Sequence, residues 1–262
     1  MKAYKGFDKD LKCRGFQYEI GKEYEEDSAE LCEKGFHACE YPLDCFSYYN
    51  PSDSRFCEVD LDATDETEDD SKRVGKKIKI GAEIGIKGLV EAAVKFVFEK
   101  AGEKANSATG DWSANSATGD RSANSATGER SANSATGDWS ANSATGYGSA
   151  NSATGYGSAN SATGARSANS ATGYGSANVS TGSSSSNEGN GEANICVAWG
   201  PKSKCRGKKG CTLVLSEWDE WDGNKYPFLG SSLVVVDGKK FKEDVWYERK
   251  NGKVVEANEP ED

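Results

Sequence analysis

Histidine, methionine and proline are all but missing from this chain, which holds one His, one Met and five Pro in 262 residues. With His37 alone, no multi-histidine metal centre can form, and any imidazole acid–base chemistry must use that ring. Long apolar runs are missing too. The longest stretch, 86–98, is broken by Lys87, Glu91 and Lys95 and is too short to cross a bilayer. Residues 1–21 lack the apolar core of an export signal. Glycine loops of the P-loop and dinucleotide types are absent, as is the Gly-Gly-x-Gly-x-Asp pattern of calcium-binding nonapeptides. No cofactor and no metal is expected from what remains.

The eight cysteines divide into five within the first 57 residues and three near the end (Cys196, Cys205, Cys211). An odd number in each segment, without an export signal, reads as reduced thiols in a cytosolic protein. The net charge of −10 is uneven: residues 1–71 carry 20 acids against 8 bases. Such a surface is repelled by nucleic acid and anionic membrane, where phosphate contacts need Lys and Arg. It suits a basic protein surface, including one that ordinarily holds nucleic acid.

What the chain has in abundance is repetition. From 104 to 184 the unit Ser-Ala-Asn-Ser-Ala-Thr-Gly plus two variable residues recurs nine times at a period of nine. A fixed short period marks an array whose units must stack to bury a face. Two units, eighteen residues, allow two strands and two turns per coil, which predicts a β-solenoid. Position 7 is Gly in every copy, as in Gly128 and Gly146, and a turn with positive φ accounts for it. The strand is then positions 1–5, the bend positions 7–9, and the inward side chains Ala with Ser or Ala with Thr. If the register runs to Cys211, the rod is about 29 Å long at ~4.8 Å per rung.

The full reading is a mainly β chain in four parts. Residues 1–71 form an acidic α+β domain, with strands at 16–20 and 56–61, a helical turn at 28–34 and a helix at 41–49. Residues 72–103 hold a strand and an amphipathic capping helix, whose Lys87, Glu91, Lys95 and Glu99 share one stripe. Residues 104–211 are the nonapeptide solenoid. Residues 212–262 form a C-terminal antiparallel β module, with Asp237-Gly238 and Asn251-Gly252 as hairpin signals.

Three groups of residues are candidates for function. With 18 residues per coil, positions 8 and 9 line two edges: Asp120, Asp138, Tyr156 and Tyr174 on one, Asp111, Glu129, Tyr147 and Ala165 on the other. Each grades from acidic to aromatic, and with Trp112 and Trp139 these Tyr residues are binding candidates, since Tyr and Trp anchor interfaces. The acidic run at 60–70, including Asp65, Glu66, Glu68, Asp69 and Asp70, is either a solvated loop or a docking patch for a basic partner. The Cys32–Cys39 segment contains His37 and Cys39, the only catalytic candidates. Their spacing matches no zinc pattern. A Thr column (Thr109, Thr127, Thr145, Thr163) leaves ice binding as a minor alternative.

The segments 5–21 (Lys-Gly-Phe…Gly), 34–44 (Lys-Gly-Phe-His-Ala-Cys…Asp) and 77–85 (Lys-Ile-Lys-Ile-Gly-Ala-Glu-Ile-Gly) resemble an uncharacterised family of bacteriophages and gut bacteria. Its members share this N-terminal domain, Ser/Ala/Asn/Thr/Gly nonapeptides and a Trp-rich β tail. The resemblance implies phage or mobile-element origin and a host cytosol, and brings no activity with it. Lys5-Gly6 and Gly35-Phe36-His37 also resemble strand landmarks of ADP-ribosyltransferases, although the Arg and catalytic Glu of that pattern have no counterpart. The expected function is a non-enzymatic protein-binding inhibitor of a host defence or nucleic-acid-handling protein. The alternatives are a nucleotide-related enzyme domain and a self-assembling, homo-oligomeric structural part. The edge columns give a direct test. Inserting one nonapeptide after Gly146 moves every later copy to the opposite edge and should abolish partner binding, whereas inserting eighteen residues should preserve it; equal binding by both variants refutes the columns.

Overall fold

The computed structural model describes residues 1–30, 33–66, 71–101 and 105–260. They fall into two compact units, Met1–Ala92 and Ala93–Asp262.

The N-terminal unit is built from β1 (Lys2–Phe7), β2 (Lys12–Cys13), β3 (Phe16–Gln17), β4 (Glu23–Glu25), β5 (Phe36–Cys39), a 3-10 turn at Pro42–Asp44, α1 (Cys45–Tyr48), β6 (Arg55–Glu66) and β7 (Lys72–Glu83). β2 and β3 form a small ribbon, and the other strands form one antiparallel sheet in the order β4-β7-β5-β1-β6, in which β6 also pairs with β7. That extra pairing curls the sheet back on itself, so β7, β5, β1 and β6 close into a ring. The inner face packs Ala3, Phe7, Phe36, Val59, Leu61 and Ile78. A second cluster, Tyr4, Cys39, Cys45, Phe56 and Leu89, lies on the other face of β1 and β5. Leu89 comes from α2 (Ile86–Ala101), whose expected charged stripe is realised as ion pairs Lys87–Glu91 at 2.7 Å and Lys95–Glu99 at 3.7 Å.

Local expectations shift in three places. Where a helical turn was expected at 28–34, Glu30 and Lys34 pair in an antiparallel bridge, and residues 31 and 32 lie outside the described residues. The strand at 56–61 runs much further, to Glu66, because β6 and β7 support each other over twelve residues apiece. Residues 60–66 of the acidic run are therefore ladder rather than loop.

The second unit is the solenoid. Thirteen strands, β8 (Asn106–Ala108) to β20 (Thr212–Trp218), alternate between two parallel sheets, even-numbered strands in one and odd in the other. Partners are eighteen residues apart, as in Asn124↔Asn142 and Asn133↔Asn151. The strand occupies positions 2–5 or 2–6 of the unit, one residue later than expected.

The core differs from the reading of Ala with Ser or Thr: from β8 to β15 the inward residues of each strand are Asn at position 3 and Ala at position 5. Asn142 and Asn160 are fully buried, as are Ala144 and Ala162. Each Asn spends both amide hydrogens inside. Asn142 Nδ2 donates to Asn160 Oδ1 one coil on, at 3.0 Å, and to Ser152 O across the core, at 2.6 Å. The pattern holds from Asn106 to Asn169 and makes a continuous amide ladder. Buried Asn is tolerable only because donors and acceptor are all satisfied. Buried Ser at position 1 closes the turns; Ser176 Oγ donates to Gly155 O at 3.0 Å.

Glycine at position 7 meets the expected reason in part and is needed for a second one. Only Gly119, Gly137 and Gly155 have positive φ there. In Gly128, Gly146, Gly164, Gly182 and Gly200 a Cβ would overlap the carbonyl of the glycine one coil before. The left-handed residue is position 9, in every copy from Trp112 to Lys202, and it is Gly at only Gly148, Gly157 and Gly175.

At the C-terminal end the amide ladder gives way to an apolar plug. β18 (Ile195–Ala198) and β19 (Lys204–Gly207) put Cys196 and Cys205 where Asn stood, and both pack with Cys211, Leu213, Leu215 and Tyr247. β21 (Phe228–Val235) pairs antiparallel with β20, and β22 (Tyr247–Lys250) antiparallel with β19, so each sheet is continued by the tail; β23 (Lys253–Glu256) follows β22. Asn251-Gly252 makes the expected two-residue hairpin, both residues at positive φ. Asp237-Gly238 does not; Asp237 instead caps a longer loop, accepting from Lys239 N and Phe241 N.

The two roles of glycine separate in a stability experiment. Gly146→Ala should cost about 2 kcal/mol or more by forcing stacked backbones apart. Gly148→Asn, at a left-handed position where Asn is well tolerated, should stay within about 0.5 kcal/mol of wild type. Urea unfolding midpoints of the two variants check the difference.

Candidate functional site

The site is a cavity of about 580 Å³ in the N-terminal unit, over the strands β1 and β5. It brings together His37 and Cys39, the two residues that sequence had marked for chemistry, with residues it had not. β5 presents both to the cavity because they are two apart on one strand. Gly6 on β1 opens the space: any side chain there would overlap the ring of Tyr49. Tyr49 Oη lies 3.0 Å from Cys13 Sγ, and burial followed by that hydrogen bond holds the phenol well above its ordinary pKa. Tyr4, Phe16, Tyr18, Tyr24 and Tyr48 supply further ring walls.

Lys5 sets the character of the cavity. It sits on the inward side of β1, between Ala3 and Phe7, and is 5% exposed. Its Nζ donates to His37 O at 3.0 Å, lies 3.7 Å from Cys13 Sγ, and stands 5.4 and 5.9 Å from the rings of Phe7 and Tyr18. Among the described residues it has no carboxylate partner. An ammonium buried without a counter-ion is costly unless something else supplies negative charge. The acids that line the cavity, Glu25, Glu26 and Glu33, are exposed at its rim, and Glu25 is engaged by Lys77 at 3.1 Å. His37 registers the result. Burial, then the charges of Lys72 and Lys5, pull its pKa down to about 4, so the ring is neutral at physiological pH.

Cys13, Cys39, Cys45, Cys57, Cys196, Cys205 and Cys211 form no disulfide, and no three metal-ligating side chains gather among the described residues; Cys32 lies outside them. Cys39 is buried in the cluster of Tyr4, Cys45 and Phe56.

The other candidates lie apart from the cavity. Asp65 and Glu66 belong to the end of β6, and Glu68, Asp69 and Asp70 fall outside the described residues. The columns on the rod are real side-chain stacks. On one edge Arg121 stands over Trp139 at 5.3 Å, Trp139 meets Tyr156 edge-on at 6.1 Å, and Tyr156 stacks on Tyr174 at 6.0 Å. On the other, Arg130 covers Trp112 at 4.8 Å and Arg166 approaches Tyr147 at 6.0 Å. Trp112 nevertheless stays 70% exposed. The acids in these columns have structural work: Asp111, Asp120 and Asp138 each accept the backbone N–H of position 8 one coil on, at 2.8 to 3.0 Å.

Sequence reasoning missed Lys5. The available signal was a lysine at the inward parity of an otherwise apolar strand, Ala3 and Phe7 on either side.

A folded-state pKa of about 4 for His37, below the ordinary 6.5, means that the unfolded chain takes up this proton first as pH falls. The neutral ring's contribution is complete above pH 6.5 and is lost progressively toward pH 4. It is on the order of 1–2 kcal/mol after allowance for the half-buried ring's solvent contact. Unfolding midpoints between pH 7 and 5 should fall more steeply for wild type than for His37→Gln; parallel curves count against the assignment.

No helix of the described residues is long and apolar enough to cross a membrane. No curated protein and no solved structure matches the chain. Residues 1–92, which hold the cavity and all three segments of the family resemblance, match a family described as a domain of unknown function, DUF7666.

Proposed function

We propose that the N-terminal unit binds a flat, anionic small molecule of the nucleotide class in the cavity around Lys5 and His37. The observation that carries this reading is the buried ammonium of Lys5, without a carboxylate partner among the described residues, inside a segment rich in acids. A phosphate or carboxylate would complete its hydrogen bonds and neutralise its charge. The Tyr and Phe walls suit a planar ring, which gains from stacking and from apolar burial. His37, neutral at physiological pH, adds no charge of its own to the cavity wall. This reading favours the nucleotide-related alternative over a purely inert N-terminal domain, and it assigns no catalytic step.

A second reading keeps the rod as the binding element. The Trp139–Tyr156–Tyr174 stack and exposed Trp112 support an inhibitor that grips a basic host protein in the host cytosol, as a phage-encoded chain would. The insertion pair described above tests it.

For the cavity, the experiment is thermal unfolding with AMP, ATP, NAD and inorganic phosphate, in wild type and Lys5→Met. A ligand at 100 times its Kd stabilises by about 2.7 kcal/mol. Wild type should gain this from at least one nucleotide. Lys5→Met should lose the gain while unfolding at the same or a higher temperature alone, because an unpaired buried charge has been removed. No shift from any nucleotide at millimolar concentration overturns the reading.

A further inference from the structure

We infer that β21 is a self-association edge, through which two copies of this chain join by antiparallel strand pairing. The inference is independent of the cavity.

β21 is the last strand of its eight-stranded sheet and pairs only with β20. In an antiparallel ladder every second residue turns its N–H and C=O away from its partner. From Leu229 to Val235 no backbone group makes a hydrogen bond outside the β20 ladder. The outward groups are thus free to template another strand.

The two ends of the C-terminal module treat this hazard differently. β23, the last strand of the other sheet, is four residues long and carries exposed Lys253 and Glu256 at its ends. Charge and shortness are the usual protection of an edge. β21 is eight residues long, Phe-Leu-Gly-Ser-Ser-Leu-Val-Val, with no charge and no proline. At its outer end a bulge drops Leu229 from the ladder while Phe228 pairs with Trp218, and both side chains stay about half exposed.

The occupant that these features fit is a second copy. A twofold axis lays β21 antiparallel to itself, so each residue must tolerate its own kind across the axis. With no charge in the strand, no register sets like charges opposite each other. Centred on Ser231, the pairing places Ser231 against its own copy, Gly230 against Ser232 and Leu229 against Leu233. The acidic excess does not oppose it, because residues 72–262 hold 22 acids and 24 bases. The product is one sixteen-stranded sheet, formed from two of eight strands.

Light scattering with size separation, from about 1 to 100 μM full-length protein, tests this. The mass should double from 28.0 kDa as concentration rises. Ser231, exposed and at the axis, is the place to intervene. Ser231→Lys alone and Ser231→Glu alone should each raise the dimer dissociation constant tenfold or more, through like-charge repulsion. Mixed in equal amounts they should dimerise again, which a misfolded variant would not do. Amide exchange should show slowed exchange at high concentration confined to 228–235. A wild type that stays at monomer mass to 100 μM, a Ser231→Lys protein that dimerises as tightly as wild type, or a mixture that fails to recover the dimer overturns the proposal.

Discussion

Everything in the rod depends on the buried amide ladder. Asn side chains occupy the place that aliphatic residues hold in an ordinary sandwich, and each satisfies its donors with one neighbour along the rod and one across it. The ladder locks the register, because a shift by one residue would leave an Asn amide facing Ala methyls and a carbonyl unmet. It also explains the severity of the sequence repeat. An apolar core can be repacked by many side chains, whereas a column of interlinked amides accepts only the same group at the same position. The ladder stops where Cys196 and Cys205 replace Asn, and there Leu213, Leu215 and Tyr247 take over with conventional apolar packing.

The coil was readable from the chain because its period is a direct statement of geometry: eighteen residues return the backbone to the same sheet. What went astray was the parity. Ala stands at both position 2 and position 5, one on each face of the strand, so hydropathy could not say which face was inside. Asn, usually a surface residue, then looked like the outward choice. The glycine at position 7 was recognised and given only one of its two causes: positive φ holds at Gly119, Gly137 and Gly155, while a close approach of stacked backbones leaves the same mark in a sequence. The true left-handed position was hidden because Arg and Trp occupy it as often as Gly.

The N-terminal cavity was legible only in part. His37 stood out by rarity and Cys39 by proximity, and the fold puts both on its wall. Lys5 was invisible as a site residue because one lysine among 32 basic residues carries no signal until its strand's inward parity is known. The acidic composition, read as a property of the whole domain, concealed the opposite sign within: the charge that His37 senses is positive. Net charge describes what a surface attracts from afar, and a buried group describes what a cavity holds at contact.

The polar core has a thermodynamic corollary. The heat capacity of unfolding rises with apolar area exposed and falls with polar area exposed. Unfolding this rod releases buried Asn amides, Ser hydroxyls and Ala methyls rather than Leu, Ile and Phe side chains. Its stability curve is therefore flatter in temperature than that of a conventional domain of equal length, with less weakening in the cold, and the apolar N-terminal unit on the same chain carries the more curved response.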